Sequence, residues 1–421
     1  MLLSGDLMES DDTVTPTLYA GVMRRDVNLL AVFRGVSFVG DGLALVALYL
    51  RVAPVGHAWA IAALAIASSL PLVLLSPLAG LVVDRVRAKP FLVGLGLGEA
   101  LVCAGLGYWH SVAMTVALIF ALNVLVAFSM PGYSVLVVAI TGTEHITRAQ
   151  GALQGAQGLA SILGPILGGL LVGLTGQSWP LYLDAVSFAL GAMGTLLIHH
   201  DRRPEYAPRQ GARHEMMAGI VLVAHDALLR PVVLNVSIFL LTLGTVNVAE
   251  VFYVTVTFHA SALAYGLIGA AFGLGTIGGA IGASRWKGGE VFMTQALTYA
   301  VVLVGIFITA IGLVRTVEEI YPFMVLAGVA VGVANVAATT LFALRSPEHL
   351  RGRVFAAAGA TTTSAQIGAT IMGGAILSVI APRTVYLWGG GIATVTAVLF
   401  GGLAIRASRE GLHLAVALQG D

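Results

Sequence analysis

The chain is poor in charged residues and nearly free of cysteine. Of its 421 residues 10% are charged and 58% are hydrophobic, whereas roughly a quarter of the residues in a soluble domain are charged. A folded chain of this composition has too few polar side chains to cover a surface exposed to water. Cys103 is the single cysteine, which excludes a disulfide framework or a thiolate metal site within one chain. The scattered histidines indicate no metal site either.

Other chemical signatures are also missing. The net charge is +1, and no basic block is long enough to indicate nucleic-acid binding. The sequence has neither a glycine-rich phosphate loop with its lysine nor a nucleophile elbow. We therefore expect no ATP-driven step, no cofactor and no enzyme activity. Residues 1–16 lack the basic and apolar regions of a signal peptide, which favours a mobile tail.

What the chain does contain is a series of long apolar runs, and its mean hydropathy is +0.93. A membrane-spanning helix needs roughly 20 predominantly apolar residues. Twelve such runs predict an all-α integral membrane protein with twelve transmembrane helices. The runs lie at about 27–50, 57–82, 91–109, 112–139, 150–175, 180–198, 229–256, 264–284, 291–314, 321–344, 354–380 and 384–405. The 52 glycines, spread through these runs, are typical of helices that pack closely in lipid.

The basic residues predict which helix ends face the cytoplasm. With the N terminus inside, 18 of the 22 basic residues fall in the tails and inner loops, three in outer loops and one, Arg34, within the first run. Cytoplasmic loops carry such an excess of lysine and arginine. We therefore expect both termini to be cytoplasmic.

The chain also divides into two similar halves. We expect a tail over 1–23, a six-helix bundle over 24–198, a linker over 199–228, a second bundle over 229–405 and a tail over 406–421. Arg148 and Gly168-Gly169 of the fifth run recur as Arg353 and Gly373-Gly374 of the eleventh, each 205 residues later. This repeat predicts two pseudo-symmetric six-helix bundles related by an axis along the membrane normal.

A dense polar cluster, Gly80-Leu-Val-Val-Asp84-Arg85-Val-Arg87-Ala-Lys89, separates the second and third runs. Glycine permits close helix approach, the carboxylate can accept hydrogen bonds from a helix N terminus, and the cations lie beside the cytoplasmic leaflet. The cluster resembles the GxxxDRxGRK loop of the major facilitator superfamily, which latches the two halves together in one conformation. Here the second glycine is absent and Ala88 replaces the usual arginine. The alternative is a positive-inside anchor only.

The fifth run carries a second pattern, Gly151, then Ala160, then Gly164-Pro165-Ile-Leu-Gly168-Gly169. Proline removes a backbone donor and bends a helix, while glycines leave a smooth face for a neighbour. The pattern resembles the antiporter motif of the same superfamily, with Ala160 replacing one glycine, and this resemblance favours export over uptake. Ordinary helix packing is the alternative reading.

Acidic groups inside the apolar runs are the strongest pointers to function, because each costs about 2.5–3.5 kcal/mol at the bilayer centre. Four such groups are present, Asp41, Glu99, Asp184 and Glu250. Arg34 lies two helical turns before Asp41 on nearly the same face. Since about 10 Å of axial rise separates their backbones, a direct ion pair, a water-linked pair and separate partners all remain open. Asp184 lies near a helix end, where water is available, and we interpret it as structural.

Glu250 lies in the seventh run, the counterpart of the first in the repeat. Asp41 and Glu250 are therefore expected to face one central cavity from opposite halves, with Glu99, Asn247 and Tyr253 as further candidates. Desolvation disfavours the charged form of such a carboxylate, so it could alternate between a proton and a cationic substrate. Alternatively, a serine, an asparagine or a backbone group satisfies each acid, and the polar groups make interhelical hydrogen bonds.

Further residues carry a narrower resemblance, to the twelve-helix multidrug exporters of this superfamily and their macrolide-efflux-like branch. They are Arg34 with Gly40-Asp41, Leu183-Asp184-Ala-Val-Ser187-Phe188, Gly273-Leu-Gly275 and Leu350-Arg351-Gly352-Arg353-Val354-Phe355. The resemblance implies alternating access and proton-driven export of amphipathic or cationic small molecules by a monomer in a bacterial inner membrane. Alternatives are a carrier of a lipid, siderophore or other metabolite, a uniporter, and a non-transporting membrane sensor.

Overall fold

The computed structural model describes residues 16–52, 58–83, 85–141, 146–199, 224–346, 351–377 and 379–417. Within these ranges the chain forms long helices and no strand. The six helices of the first half are α1 (Pro16–Val52), α2 (Ala58–Val83), α3 (Ala88–Tyr108), α4 (Val112–Thr141), α5 (Ile146–Thr175) and α6 (Ser178–Leu197). Those of the second half are α7 (Leu229–Phe252), α8 (Ala262–Ala283), α9 (Glu290–Leu313), α10 (Ile320–Arg345), α11 (Arg351–Ile376) and α12 (Pro382–Ala417).

Each predicted apolar run is a helix, which confirms the predicted all-α membrane fold. Ten of the helices, counted over the described residues, are long and apolar enough to cross a membrane. Two helices extend well beyond their apolar runs, because α1 begins at Pro16 and α12 continues to Ala417. Apolarity limits the part of a helix that can lie in lipid, whereas the helix itself satisfies its own backbone and can continue beyond the hydrocarbon.

Small residues bring the helices of each half into close contact. A Cβ atom added to Gly42 of α1 would lie 2.8 Å from the Cα atom of Gly164 in α5. In the second half, one added to Gly279 of α8 would lie 2.9 Å from the Cα atom of Val329 in α10. Such contacts require glycine, because backbone atoms cannot move aside as the end of a side chain can. The glycines therefore set the distances between these helices.

The same packing contact occurs in both halves. A Cβ atom added to Gly168 would lie 3.1 Å from the Cα atom of Leu43, and one added to Gly373 would lie 3.1 Å from the Cβ atom of Val248. Both members of the second pair follow their counterparts by 205 residues. The repeat thus extends from sequence to packing between α1 and α5 and between α7 and α11. Arg148 and Arg353 lie in helices, but their side chains are outside the described residues.

The two halves meet along α5 and α8, which run antiparallel. Gly169 packs against Ala262, Pro165 against Gly266, and Gly158 against Ile277. Pro165 lies inside a continuous helix and cannot donate a hydrogen bond to the carbonyl four residues earlier. That carbonyl, of Ser161, lies against Gly273 of α8. Proline and glycine together therefore give α5 a smooth face for the opposite half.

Polar contacts join helix ends in each half. In the first half, the Lys89 ammonium donates to the Ile198 carbonyl at 2.6 Å, and the His199 amide donates to the Asp26 carboxylate at 2.9 Å. In the second half, Arg345 contacts Asp226 at 3.0 Å and Glu290 at 3.4 Å. Asp226 also accepts hydrogen bonds from the first amides of α7. These contacts satisfy helix termini that have no partner within their own helix.

Candidate functional site

A cavity of about 250 Å³ lies between the two halves. Helices α1 and α5 form one wall, and α7, α8, α9, α10 and α12 form the rest. Its polar groups are Asn247 and Glu250 of α7 and the hydroxyls of Tyr49, Tyr265 and Tyr386, while the remaining walls are apolar. None of the described residues that line it is basic. The cavity therefore offers one carboxylate in largely apolar and aromatic surroundings.

The polar groups of this cavity are not satisfied by the protein. Over the described ranges, no hydrogen bond or ion pair involves the side chains of Glu250 or Asn247. Glu250 nevertheless lies within electrostatic range of the tyrosine side chains at 49, 265 and 386. A buried polar group usually has a partner, and here the groups without one surround the same empty space.

Asp41 does not line this cavity, although we expected it to share one with Glu250. The repeat explains the difference, because the residue 205 positions before Glu250 is Leu45, which does line the cavity. Asp41 lies one helical turn before Leu45 and is exposed there. The structure therefore separates the two carboxylates by helical position as well as by half.

Arg34 makes no ion pair with Asp41 in the part of the chain that the structure describes. Its guanidinium carbon instead lies 4.6 Å from the ring centroid of Phe38 and 4.3 Å from that of Tyr133. These distances are typical of cation–π interactions. Arg34 still acts electrostatically on Asp41 and Glu99, so of the three alternatives the structure excludes only the direct ion pair.

The other two acids are buried within the first half. Glu99 of α3 is 2% exposed and accepts a hydrogen bond from the Ser129 hydroxyl at 2.8 Å. Asp184 of α6 is 1% exposed and accepts from the Cys103 thiol at 3.3 Å and the Ser187 hydroxyl at 3.1 Å. The expectation that water surrounds Asp184 is therefore wrong, because α1 and α3 pack over this part of α6. Asp41 lies within electrostatic range of both acids.

Tyr253 is fully buried and lies outside the cavity lining. Its hydroxyl donates to the Ile311 carbonyl at 3.0 Å, and its ring centroid lies 4.8 Å from that of Tyr386. It begins a short π-helical segment, Tyr253–Thr257, at the end of α7. Tyr253 was predicted either to face the cavity or to make an interhelical hydrogen bond, and the structure shows the hydrogen bond. Tyr253 contacts the cavity wall through Tyr386.

The predicted switch residues differ in their surroundings, since some pack closely against other helices and others are exposed. Among the described residues nothing lies within 4 Å of a Cβ atom added to Gly80, so the expected close approach is absent there. Arg85 and Arg87 are exposed, Lys89 caps α6 as described above, and Asp84 is outside the described residues. In the fifth-helix pattern, Gly164, Pro165, Gly168 and Gly169 all make close contacts, whereas no described atom lies within 4 Å of a Cβ atom added to Gly151.

Sequence reasoning missed the three cavity tyrosines. Tyr49 lies two helical turns after Asp41 on one face of α1, a periodicity that could have indicated it. Tyr265 and Tyr386 belong to helices with no intramembrane charge, and only tertiary packing brings them to Glu250. No three His, Cys, Asp or Glu side chains of the described chain are grouped so as to hold a metal ion.

Comparisons with known proteins agree with this architecture. Residues 30–367 match the sequence model of the Major Facilitator Superfamily. No match was found among curated proteins. Among solved structures, a mutant of the nucleoside transporter NupG is similar at a TM-score of 0.70 and 14% identity, covering 90% of this chain and 99% of that one. The human organic anion transporter MFSD10 is similar at 0.63 and 18%, covering 90% and 99%. A bacterial homolog of the lysosomal transporter Spinster, inward-facing and unoccupied, is similar at 0.64 and 13%, covering 92% and 97%.

Proposed function

The chain belongs to the Major Facilitator Superfamily and is a membrane transporter, and from that premise we propose that it exports amphipathic, cationic small molecules in exchange for protons. In this proposal it works as a monomer in a bacterial inner membrane, with both termini in the cytoplasm and the proton gradient as its energy source. The observation that carries the proposal is Glu250, a carboxylate that faces an apolar cavity between the halves and has no basic neighbour among the described residues of the lining.

The chemistry of this cavity favours a cation as substrate. A charge moved out of water into apolar surroundings must meet an opposite charge there, and Glu250 is the one charged group among the described residues of the lining. An anionic substrate would meet only repulsion from this carboxylate. The apolar walls would accept the hydrophobic body of an amphipathic molecule.

In this proposal protons bind to residues outside the substrate cavity. Arg34 interacts electrostatically with Asp41 and Glu99, and these two carboxylates interact with Asp184. Three neighbouring carboxylates with one cation near two of them are costly in a region of low dielectric unless protons neutralise some of them. We assign proton binding to Asp41, the most exposed of the three, and we assign to Arg34 the tuning of that carboxylate. Substrate binding then belongs to Glu250 in the other half.

The packing between the halves supports alternating access as the mechanism. Gly158 contacts α8, whereas no described atom lies within 4 Å of a Cβ atom added to Gly151, two turns earlier on the same face of α5. The two helices are antiparallel and α8 ends at Ala283, so Gly151 lies beyond the end of α8. The α5–α8 contact therefore covers only the part of α5 that follows Gly151, and its small residues allow one half to move against the other. In this proposal the loop latch is released, and no described atom lies within 4 Å of a Cβ atom added to Gly80.

The test is uptake of a cationic dye into inverted membrane vesicles with an imposed proton gradient. We expect gradient-driven uptake by the wild type, loss of gradient dependence in Asp41→Asn, and loss of dye binding in Glu250→Gln. Tyr299→Leu, at an exposed position of α9 away from the cavity, is the control and should retain gradient-driven uptake. Normal gradient-driven uptake by Asp41→Asn would refute the role of Asp41.

The same assay separates the alternatives. Flux that ignores the pH gradient would identify a uniporter. Inhibition of dye uptake by a lipid, a siderophore or a metabolite would identify a different substrate class. Ligand binding by folded protein without any vesicle flux would identify a sensor rather than a transporter.

A further inference from the structure

The three tyrosines around Glu250 come from both halves of the molecule. Tyr49 belongs to α1, Tyr265 to α8 and Tyr386 to α12. Tyr265 and Tyr386 are 8% and 1% exposed, and both line the cavity together with Tyr49. Each of the three side chains interacts electrostatically with the same carboxylate. One acid with three aromatic rings is the composition of an aromatic cage for a cation.

None of these three hydroxyls makes a hydrogen bond within the described chain. The neighbouring Tyr253 differs, because its hydroxyl donates to the Ile311 carbonyl. A tyrosine buried for structural reasons usually finds such a partner. The rings and hydroxyls of the tyrosines at 49, 265 and 386 therefore face the cavity, without a hydrogen-bond partner among the described residues.

The apolar part of the cavity lining limits the kind of cation that fits. This wall includes Val304, Ile308 and Ile311 of α9 and Met324 and Ala327 of α10, and none of them has a side chain that accepts a strong hydrogen bond. A primary ammonium directs three N–H donors away from one another, so a donor pointing at this wall would lose its hydrogen bond with water. A quaternary ammonium has no N–H donor, and its methyl groups match apolar walls.

The size of the cavity also favours a compact cation. The cavity, at about 250 Å³, is smaller than the roughly 300–1,000 Å³ typical of sites for drug-sized ligands. In this conformation it accepts a compact head group rather than a large ring system. We propose that Tyr49, Tyr265, Tyr386 and Glu250 form a cage that selects a compact, singly charged quaternary ammonium group.

This inference rests on the proposed function, because it assigns the substrate class of the same cavity, but its test needs no transport. The full chain is purified in lipid nanodiscs, and binding of choline is measured by calorimetry. The comparison ligand is 3,3-dimethylbutan-1-ol, which has the same shape with carbon in place of the charged nitrogen. We expect choline to bind at least tenfold more tightly than this alcohol and more tightly than ethanolamine, its primary-amine relative.

Variants separate the contribution of the ring from that of the hydroxyl. Tyr265→Leu should weaken choline binding about tenfold or more, because a desolvated cation–π contact is lost. Tyr265→Phe keeps the ring and should stay within about threefold of the wild type. Glu250→Gln should weaken choline binding and leave that of the alcohol unchanged. Tyr299→Leu, at an exposed tyrosine of α9 away from the cavity, controls for loss of folding.

The outcomes distinguish the cage from the proposed transport. Equal affinity for choline and the alcohol, tighter binding of ethanolamine, or full affinity in Tyr265→Leu would overturn the cage. Choline binding with the expected variant pattern but without gradient-driven flux would support the cage and refute the exporter. Gradient-driven dye export by a protein that does not bind choline would refute the cage alone.

Discussion

Replacing Gly275 of α8 with alanine should destabilise the protein, whereas the same change at Gly278, three residues later, should not. A Cβ atom at Gly275 would overlap the Val325 carbonyl oxygen and lie 2.9 Å from the Val329 nitrogen of α10. These are backbone atoms within a helix, so the only relief is to separate α8 from α10. At Gly278 no described atom lies within 4 Å of the added Cβ atom.

The magnitude follows from these two environments. Overpacking a close contact costs about 1–3 kcal/mol, while alanine in an open helical position gains up to about 1 kcal/mol over glycine. The gain over glycine is common to both variants, so we expect the free energies of unfolding of Gly275→Ala and Gly278→Ala to differ by about 1–3 kcal/mol. Both substitutions add one methyl group to the same helix, so lipid, detergent and helix propensity affect them alike.

The chain supplies its own probe for this measurement. Cys103 is the sole cysteine and is fully buried, so a maleimide reagent reacts with it when the fold opens. The labelling rate in mixed micelles, followed over increasing denaturant, gives the stability of each variant. Equal labelling curves for the two variants would show that the α8–α10 contact is not as close as the structure has it.

Three further predictions concern polar contacts. Tyr253→Phe removes the hydrogen bond to the Ile311 carbonyl and should cost about 0.5–1.5 kcal/mol in the same labelling assay; an unchanged curve would contradict this contact. Lys89→Met removes the donor to the Ile198 carbonyl and should cost about 1 kcal/mol, whereas Arg85→Met, at an exposed position in the turn before α3, should have a smaller effect. A double-mutant cycle of Arg345→Met and Asp226→Asn should give a coupling energy of about 0.5–1 kcal/mol that falls as salt is added, and coupling that does not respond to salt would argue against an ion pair.

Sequence reasoning predicted the helices well because their signal is local. Twenty apolar residues in a row indicate a span wherever they occur, and the predicted runs and the observed helices agree closely except where α1 and α12 continue into polar sequence. The glycines at 164, 168 and 169 were also predicted as a packing face, since a residue without a side chain has few other uses inside a helix. Their partners on α1 and α8 could not be predicted from one sequence.

The site was harder to predict because it depends on distances between helices. Counting intramembrane acids found Glu250, yet the pairing of Asp41 with Glu250 in one cavity relied on helix number alone. The counterpart of Glu250 in the repeat is Leu45, four residues after Asp41. Asp41 therefore lies one helical turn away from the position that corresponds to Glu250. Asp184 was judged by its distance from a helix end, whereas its burial depends on how α3 packs against α6.

The contact that Gly168 makes with Leu43, and Gly373 with Val248, has a consequence for how alike the two halves are. These packing positions correspond at a spacing of 205 residues, while Glu250 corresponds to Leu45 and Asp41 to Val246. The packing is therefore common to both halves, and the acidic positions are not. The two bundles are thus alike as frames and unlike as chemical environments, and exchanging the residues at 45 and 250 would test whether either frame can host the acid.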